Sequence, residues 1–249
     1  MYNDFAKIYD RFQEIDYDEF VVFYKKIFEQ NNLSPETVID LGCGSGEISL
    51  RLAKSGYNTV GIDISEDMLA IAQDKAFEQG INILFLNQDM TGFEYPEKAD
   101  AVISTLDCIN YLTEYEDVVR TFKCVNETLA DNGLFIFDIN SEYKLSQVLG
   151  NNTFVYEDDE AYCVWDCGYY PEDRICGFDL NFFVKEGKKQ NAKYERYFEY
   201  QEERAYSVDE IKSALNTAGL KLLNIYADLE FIEPSEESER LFFVCARDL

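Results

Sequence analysis

The stretch Val38–Gly46, with the sequence VIDLGCGSG, decides the fold of this 249-residue chain. A short apolar run ends in an acid, glycines follow at alternate positions, and a helical pattern begins at Ile48. Strand, glycine turn and helix in this order are typical of a nucleotide-type site on a parallel sheet. Because glycine has no Cβ, it can adopt a positive φ or let a ligand lie directly on the backbone. We therefore expect the amides that open the helix to face a ligand.

Two details of this stretch argue against a dinucleotide. The glycine spacing is G-x-G-x-G, whereas dinucleotide sites use G-x-G-x-x-G. The charge of Asp40, at the end of the predicted strand, would oppose a pyrophosphate and suits a positive amino or sulfonium group. The stretch resembles the first motif of class I S-adenosylmethionine-dependent methyltransferases, whose cofactor has no phosphate and carries a cation. The resemblance implies that the cofactor contacts Asp40, Gly42, Cys43, Gly44 and Gly46; the alternative is a tight strand–helix turn without a ligand.

Two further acids stand at the ends of the next predicted strands. Asp63 ends the strand Asn58–Asp63, where a carboxylate can accept hydrogen bonds from both ribose hydroxyls. Ser65 is the better cap for the following helix, which leaves Asp63 for the ligand. Asp89 follows the predicted strand Ile81–Leu86. Ligands in a doubly wound sheet lie beyond the carboxyl ends of the strands. Three acids at such ends, Asp40, Asp63 and Asp89, therefore indicate a ligand site and not a coincidence.

The resemblance extends to the neighbours of these acids. It implies that Asp89 accepts a hydrogen bond from the adenine amino group and that Met90 flanks the adenine ring. Ile64 would pack on the opposite face of the ring. Met68 and Leu106 complete the cofactor-binding residues that the resemblance implies for this part of the chain. For Asp89 alone, a polar loop with one incidental acid is the alternative.

The N-terminal segment also resembles a known sequence pattern. Residues 2–10 match the Y-x-x-F-A-x-x-Y-D opening of a group of small bacterial methyltransferases, in which N-terminal helices cap the cofactor. The resemblance implies cofactor contacts for Tyr2 and Tyr9. The alternative is an amphipathic helix that closes one edge of the core, because the apolar residues of the segment recur at helical spacing.

The run Asp107–Leu112 follows the predicted strand Ala99–Ser104 and reads D-C-I-N-Y-L. It resembles the D-x-x-N-Y-L run of the same group of enzymes, at the position where they place residues beside the transferred methyl group. The resemblance implies catalytic roles for Asp107 and Tyr111, with Tyr111 also in contact with the substrate. The alternative is a loop that leads into the next helix, with Tyr111 as an aromatic residue at the edge of the core.

The order of the elements predicts an α/β fold with an insertion. The resemblance implies a Rossmann-like seven-stranded methyltransferase sheet with helices on both faces, formed by residues 1–150 and 207–249. Residues 151–206 show period-two patterns and predict an inserted antiparallel β-sheet that acts as a lid or substrate subdomain. The chain ends on two predicted strands, one of them antiparallel, which a plain dinucleotide fold does not have.

Aromatic residues dominate the predicted insertion. Inserted elements commonly determine substrate choice, so Tyr169, Tyr170 and Arg174 are candidate substrate-binding residues. The alternative is a lid core with a dimer face. Cys163, Cys167 and Cys176 lie in the same segment, but their spacing is wrong for zinc and favours the inner face of a hairpin. We predict no metal site.

Composition limits the possible partners and the compartment. The chain has 49 acidic and 22 basic residues, a net charge of −27, and no basic cluster that could neutralise nucleic-acid phosphates. This favours a small-molecule substrate over nucleic acid, and no apolar run is long enough to predict membrane insertion. The seven cysteines include no C-x-x-C pair, and no signal peptide is visible, so we predict free thiols in the cytoplasm.

The sequence contains no histidine, which removes the commonest general base. The predicted reaction is in-line methyl transfer to a nitrogen, oxygen or sulfur nucleophile. Alignment of two reactants can supply ~7–11 kcal/mol, against about 3–5 kcal/mol for a general base, so a weak base is sufficient. Two alternatives stay open: a protein that binds S-adenosylmethionine without turnover, and an NAD(P)-dependent oxidoreductase.

Overall fold

The computed structural model describes residues 15–186 and 193–248, in which two β-sheets are combined with surrounding helices. The α-helices are α1 Tyr17–Gln30, α2 Glu47–Lys54, α3 Glu66–Glu78, α4 Tyr115–Thr128 and α5 Val208–Thr217, and a π-helix spans Lys144–Leu149. The strands are β1 Thr37–Leu41, β2 Asn58–Asp63, β3 Leu84–Asn87, β4 Ala99–Ser104, β5 Leu129–Asn140, β6 Thr153–Glu157, β7 Ala161–Tyr170, β8 Ile175–Glu186, β9 Lys193–Arg204, β10 Leu220–Ala227 and β11 Arg240–Arg247.

The larger sheet has seven strands in the order β10-β11-β5-β4-β1-β2-β3. The five strands from β5 to β3 are parallel, whereas β11 is antiparallel to both of its neighbours, β5 and β10. The glycine stretch leaves the carboxyl end of β1, which is flanked by parallel β2 and β4. The predicted Rossmann-like seven-stranded sheet, with one reversed strand, is confirmed.

Alternate residues of β1 enter two separate cores, because successive side chains of a strand point to opposite faces. Val38 is fully buried against α1 and α2, in a cluster that includes Phe20, Tyr24, Ile27, Ile48 and Leu52. Ile39 is fully buried on the other face against α4 and α5, in a cluster that includes Val118, Phe122, Val125, Ile211 and Leu215. Helices therefore cover both faces, and the carboxyl ends of the parallel strands remain open for a site.

The second sheet is an antiparallel meander of four strands, β6-β7-β8-β9. One face of it is apolar and packs against Leu145 and Leu149 of the π-helix. Cys163, Cys167 and Cys176 are buried in this cluster as free thiols. Across the described ranges, no group of three His, Cys, Asp or Glu side chains is placed to hold a metal ion. The inserted antiparallel sheet was predicted, and it is confirmed.

Strand β3 is shorter than predicted. It begins at Leu84 and not at Ile81, because the amides of Gly80 and Ile81 bond to carbonyls at the end of α3. The Ile81 amide donates to the carbonyl of Ala76 at 2.9 Å, and Gly80 takes a positive φ of 65°. This is the geometry that closes a helix at a glycine. In the part of the chain that the structure describes, no helix is long and apolar enough to cross a membrane.

Candidate active site

One cavity of about 970 Å³ lies at the carboxyl ends of β1, β2, β3 and β4, between this edge of the large sheet and the apolar face of the second sheet. Parallel strands end together at one edge, so residues far apart in sequence meet there. The predicted site residues that line the cavity are Asp40, Gly42, Cys43, Gly44, Asp63, Ile64, Met68, Asp89, Met90, Leu106, Asp107 and Tyr111.

The glycine loop forms the floor of the cavity. The amides of Gly42 and Cys43 both donate to the carbonyl of Ile62, at 2.8 and 3.0 Å. Gly42 has a φ of 76°, and a Cβ on it would lie 2.7 Å from Cys108 Sγ. The position beside Gly44 is open: no atom of the described residues lies within 4 Å of the site of a Cβ. A side chain at residue 42 would therefore displace the loop, whereas at residue 44 the backbone itself is available to a ligand.

Asp63 links β2, the glycine loop and α3. Its Oδ2 accepts a hydrogen bond from the Gly44 amide at 2.8 Å, and its Oδ1 accepts one from the Ser65 amide at 2.8 Å. Ser65 Oγ caps α3 by accepting from the Met68 amide at 3.3 Å. Because an ionised carboxylate offers about four lone-pair sites, two bonds to the backbone leave Asp63 able to accept from ligand hydroxyls as well.

Asp40 is the acid of the glycine stretch, and it is only 1% exposed. Ser49 Oγ in α2 donates to its Oδ2 at 2.5 Å. Burial raises the pKa of Asp40 to about 7; the hydrogen bond from Ser49 opposes this shift, and the charge of Asp63 adds to it. A cation in the cavity would favour the ionised form of Asp40.

This pKa predicts that cofactor binding depends on pH. If a cationic ligand binds to ionised Asp40, its affinity should fall about tenfold between pH 8 and pH 6, because most Asp40 carboxyls are protonated at the lower pH. Calorimetric titration of S-adenosylmethionine at both pH values measures this. Asp40→Asn should bind the cofactor with little dependence on pH. An affinity of the unmodified protein that is the same at pH 6 and pH 8 would contradict the prediction.

Asp89 and Met90 follow β3 at the edge of the cavity. Asp89 is exposed, and its Oδ1 accepts from the amide of Thr91 at 2.8 Å and from its hydroxyl at 2.9 Å. The Met90 methyl group lies beside the glycine loop, 3.3 Å from the position of a Cβ on Gly42. Ile64 is 68% exposed although it is aliphatic, so its side chain is available to a flat apolar ligand.

The loop after β4 carries backbone strain. Leu106 and Asp107 have positive φ values of 63° and 55°, which cost of order 1–3 kcal/mol each for residues other than glycine. Asp138, fully buried in β5, accepts from both amides, at 2.8 Å for Leu106 and 2.9 Å for Asp107. Arg240 of β11 forms ion pairs with Asp107, at 2.8 Å, and with Asp138. Two strands of the core therefore hold this loop in its strained conformation.

Asn110 connects the same loop to the inserted sheet. Its side-chain nitrogen donates to the carbonyls of Asn140, at 3.1 Å, and Arg204, at 2.9 Å, and its oxygen accepts from the Asn140 amide at 2.9 Å. The Arg204 amide donates back to the Asn110 carbonyl at 2.8 Å. This explains the asparagine of the D-x-x-N-Y-L run: a fully buried amide fixes the loop, the end of β5 and the end of β9 against one another.

The inserted sheet forms the far wall of the cavity. Alternate residues of β9, Glu199, Gln201 and Glu203, line it, because residues two apart share one face of a strand. The Tyr111 hydroxyl donates to Gln201 Oε1 at 3.2 Å across the cavity. The apolar residues of this wall are Tyr156, Cys163, Trp165, Leu180 and Phe182.

Several predicted site residues are not in the cavity lining. Gly46 has a φ of 81°, and a Cβ on it would lie 2.8 Å from Ala72 Cβ, so its role is close packing of α2 on α3. Arg174 forms ion pairs with Glu142 and Glu210, at 2.8 and 2.6 Å, and is not among the residues that line the cavity.

The two tyrosines predicted beside Arg174 are also absent from the lining. Tyr170 is 55% exposed, and Tyr169 is half-buried near the π-helix, where its Cβ approaches Gly150. The strand register pairs Tyr169 with Cys176, and Cys176 with Glu203, so both tyrosines lie at the same end of the sheet as Glu203 but outside the cavity lining. Tyr2 and Tyr9 lie outside the described residues.

The sequence did not predict a cluster of charged and polar residues at the centre of the site. Asn140, Lys144, Glu203 and Arg240 all line the cavity, and Asp138 lies directly behind Asp107. A weak signal for them exists. Asp138 interrupts the apolar run of β5. Strand β9 has acids and an amide on its buried face, whereas Phe198 and Tyr200 are exposed on the other face. This is the reverse of the pattern of an ordinary half-buried strand.

The donor set of the cavity fits the cofactor that the resemblance implies. At the glycine loop the lining contains the carboxylates of Asp40 and Asp63, and Asp89 is added at the end of β3. Lys75, which lies next to the loop, is paired with Glu47 at 2.7 Å. Such a set disfavours phosphate and suits the hydroxyls and the positive charges of S-adenosylmethionine.

Comparison with known proteins agrees with this geometry. Residues 38–133 match the family model of the methyltransferase domain. The chain is 38% identical over 248 residues to a protein of Geobacillus sp. (strain WCH70) that is named as a methyltransferase, with 99% of both chains covered. It is 37% identical over 247 residues to a protein of Bacillus subtilis (strain 168) with a methyltransferase name, covering 98% and 96% of the two chains.

Solved structures give the same result. The crystal structure of an S-adenosylmethionine-dependent methyltransferase from Clostridium acetobutylicum superposes with a TM-score of 0.90 and 34% identity, covering 99% of this chain and 98% of that chain. CalS10 of Micromonospora echinaspora, an amino pentose methyltransferase solved with S-adenosylmethionine bound, has a TM-score of 0.74 at 15% identity, covering 97% and 95%. At 15% identity, the likeness to CalS10 shows a shared fold and no more.

Proposed function

The chain belongs to the S-adenosylmethionine-dependent methyltransferases, and from this we propose that it methylates a small molecule held between the glycine loop and the inserted sheet. S-adenosylmethionine is the cofactor. When bound, it supplies a methyl group on a sulfonium, open to a nitrogen, oxygen or sulfur nucleophile. The residues of the chain would bind and orient the two reactants and exclude water, because alignment of two reactants can supply ~7–11 kcal/mol of the barrier.

One observation carries the proposal: the cavity continues past the predicted cofactor residues. Its lining runs from the glycine loop through Asp107 and Tyr111 to the apolar face of the inserted sheet. Sites for drug-sized ligands measure about 300–1,000 Å³, and this cavity of about 970 Å³ is at the upper end. This size supports two adjacent ligands, a cofactor and an acceptor.

We assign the cofactor to the half of the cavity at the glycine loop. Asp63 would accept from the ribose hydroxyls, and Asp89 from the adenine amino group, with Ile64 and Met90 on the two faces of the ring. Asp40 would balance the positive charges. Asp107 and Tyr111 would border the reacting methyl group, since their loop lies between the two halves of the cavity.

Charge and cysteine chemistry support the rest of the proposal. A net charge of −27 disfavours nucleic acids as acceptors, because their binding depends on neutralising phosphates. All seven cysteines are free thiols, which supports a reducing cytoplasm as the compartment. The inserted sheet, about residues 151–206, would be the acceptor-binding subdomain. The glycine loop gives no support to an NAD(P)-dependent oxidoreductase, since the lysine beside it, Lys75, is paired with Glu47 at 2.7 Å and the acids Asp40 and Asp63 line the cavity there.

The test is methyl transfer from labelled S-adenosylmethionine. The protein is incubated with the labelled cofactor and a small-molecule fraction of a bacterial extract, and S-adenosylhomocysteine and labelled products are followed by mass spectrometry. We expect both to accumulate together. Binding of the cofactor by calorimetry without any transfer would favour the alternative, a protein that binds S-adenosylmethionine without turnover.

Tyr111→Phe tests the reaction-centre assignment. The change removes the hydroxyl that donates to Gln201 at 3.2 Å and leaves the ring in place. We expect turnover to fall about five- to tenfold, because one hydrogen bond of about 1–1.5 kcal/mol aligns the loop with the acceptor wall. The cofactor Kd should stay within about twofold. Equal losses in turnover and cofactor affinity would assign Tyr111 to cofactor binding.

A further inference from the structure

The acceptor half of the cavity has the polar groups of an amine-binding site. We propose that the methyl acceptor is an amine, bound as an ammonium group by Glu203 and the side-chain oxygen of Asn140, with its apolar part on the wall around Trp165. This inference rests on the proposed function and narrows it. It follows from three independent features: an unpartnered buried acceptor, the charge balance of the wall and the aromatic surface beside it.

The first feature is the pair Glu203 and Asn140. Both are 3% exposed, and both line the cavity. Asn140 Nδ2 donates to Glu203 Oε2 at 2.8 Å, which fixes the orientation of the amide. Asn140 Oδ1 is then buried, and within the described ranges it has no hydrogen-bond partner. Buried acceptors are almost always satisfied, so this oxygen calls for an N–H or O–H donor from a ligand.

The second feature is the balance of charges in this part of the site. Arg240 is already occupied by Asp107 and Asp138. Arg120 also lines the cavity, but it is paired with Asp117. Among the described lining residues this leaves Lys144; burial lowers its pKa, and the charge of Arg240 acts in the same direction. Against Arg240 and Lys144 stand four acidic side chains, those of Asp107, Asp138, Glu199 and Glu203. The wall therefore favours a cation over an anion.

The third feature is the aromatic surface next to these carboxylates. Trp165 lines the cavity, and its ring centroid lies 5.5 Å from that of Phe178 and 6.4 Å from that of Tyr156. The faces of tryptophan and tyrosine rings attract ammonium groups. Trp165 Nε1 is buried without a hydrogen-bond partner among the described residues, so it can donate to an oxygen of the same ligand.

An ammonium group matches these features better than other nucleophiles. It presents two or three N–H donors from one atom, enough for Glu203 and Asn140 Oδ1 together, whereas a hydroxyl presents one and a thiol donates weakly. A Glu203 oxygen takes one proton from the ammonium nitrogen. The freed lone pair then forms the N–C bond as the C–S bond of the methyl donor breaks and its electrons stay on sulfur. Burial raises the pKa of Glu203, with the charge of Asp107 in support, which suits a proton acceptor.

Trp165 is the only tryptophan of the chain, so its fluorescence reports on this half of the cavity. We suggest titrating the full-length protein, saturated with S-adenosylhomocysteine, with three probes of similar shape: benzylammonium, benzyl alcohol and phenylacetate. The expected Kd of benzylammonium is at least about tenfold below those of the other two. Glu203→Gln should reduce this preference to about threefold or less, and Glu199→Gln should weaken it.

Glu202→Gln is the matched control. Glu202 is the adjacent glutamate of β9, it is exposed on the opposite face, and it accepts from the Tyr200 hydroxyl at 2.7 Å. This variant should keep the full preference for benzylammonium. Phenylacetate or benzyl alcohol binding as tightly as benzylammonium, no fluorescence change with benzylammonium, or an unchanged preference in Glu203→Gln would each overturn the inference.

A separate assay distinguishes this inference from the proposed function. Labelled S-adenosylmethionine is offered with panels of amines, alcohols, phenols and thiols. Transfer to amines supports both the inference and the proposed function. Transfer to alcohols, phenols or thiols, with none to amines, overturns the inference and leaves the methyltransferase proposal intact. Cofactor binding without transfer to any acceptor counts against the proposed function, while the preference of the cavity for ammonium is decided by the fluorescence titration.

Discussion

Asp63→Ala should raise the Kd of S-adenosylmethionine by about 100-fold or more. Hydrogen bonds to a charged group are worth about 1.5–3 kcal/mol each, and two ribose hydroxyls would lose their acceptor. The change also removes the bonds that Asp63 makes to the amides of Gly44 and Ser65, both at 2.8 Å. The glycine loop would then lose its hydrogen bond to the end of β2 on the cavity side. The loss of cofactor affinity should therefore exceed that expected from the ligand contacts alone.

Calorimetry with S-adenosylmethionine and with S-adenosylhomocysteine measures the effect, and the two ligands should lose affinity equally because they share the ribose. Glu66→Ala is the matched control, since Glu66 is an exposed acid three residues along the chain, outside the cavity lining. The Kd of S-adenosylmethionine for Glu66→Ala should stay within about twofold of the Kd for the unmodified protein. An affinity of Asp63→Ala within about threefold of the original would remove Asp63 from the cofactor site.

Arg240→Met should lower the free energy of unfolding by about 3–5 kcal/mol at neutral pH. Arg240 is 15% exposed as a side chain and is paired with Asp107 and with fully buried Asp138. Methionine would leave Asp138 as a buried carboxylate without a cation. The same pair fixes Leu106 and Asp107 at positive φ, so the loop beside the reacting methyl group should also lose its order.

The loss of stability should shrink as the pH falls. Burial raises the pKa of Asp138, and the charge of Arg240 opposes this shift, so removing Arg240 raises the folded-state pKa further. A carboxyl whose pKa is higher in the folded state stabilises the fold below its unfolded pKa, about 3.9, and loses that contribution as the pH rises through the folded value. The deficit of Arg240→Met is therefore greatest at neutral and alkaline pH.

Urea unfolding at several pH values provides the measurement. Arg247→Met is the matched control: it changes the same residue type in the same strand, where Arg247 pairs at 2.9 Å with Asp131, whose side chain is 76% exposed. Surface pairs of this kind contribute about 0–1 kcal/mol. Equal losses for Arg240→Met and Arg247→Met would show that the buried cluster has no special role.

The half of the cavity at the glycine loop could be predicted because it depends on local sequence. A strand that ends at Asp40, glycines at fixed spacing and acids at the ends of the next strands all act through the backbone next to them. Parallel pairing then brings those strand ends to one edge, whatever the loops between them do. Gly46 shows the limit of this reasoning, since only the packing of α3 reveals that Ala72 occupies the space beside it.

The half of the cavity at the inserted sheet could not be predicted, because its residues come from elements whose relative position the sequence does not state. Tyr169, Tyr170 and Arg174 were predicted because they are polar or aromatic residues of the insertion, but the lining contains Glu199, Gln201 and Glu203 of β9. A shift of one residue in β9 would turn its other face, with Phe198 and Tyr200, to the cavity, since alternate residues face opposite sides.

The sequence by itself determined the fold class and the carboxylates at the strand ends, since periodicity and turn residues act over a few neighbours, and its resemblance to methyltransferases implied the cofactor. Tertiary structure alone decided that Arg240, 102 residues from Asp138, neutralises it, and that Asn110 ties β5 to the end of β9. Long-range pairs of this kind are set by strand order and packing. The burial that makes their charges matter does not exist until the two sheets have closed over the cavity.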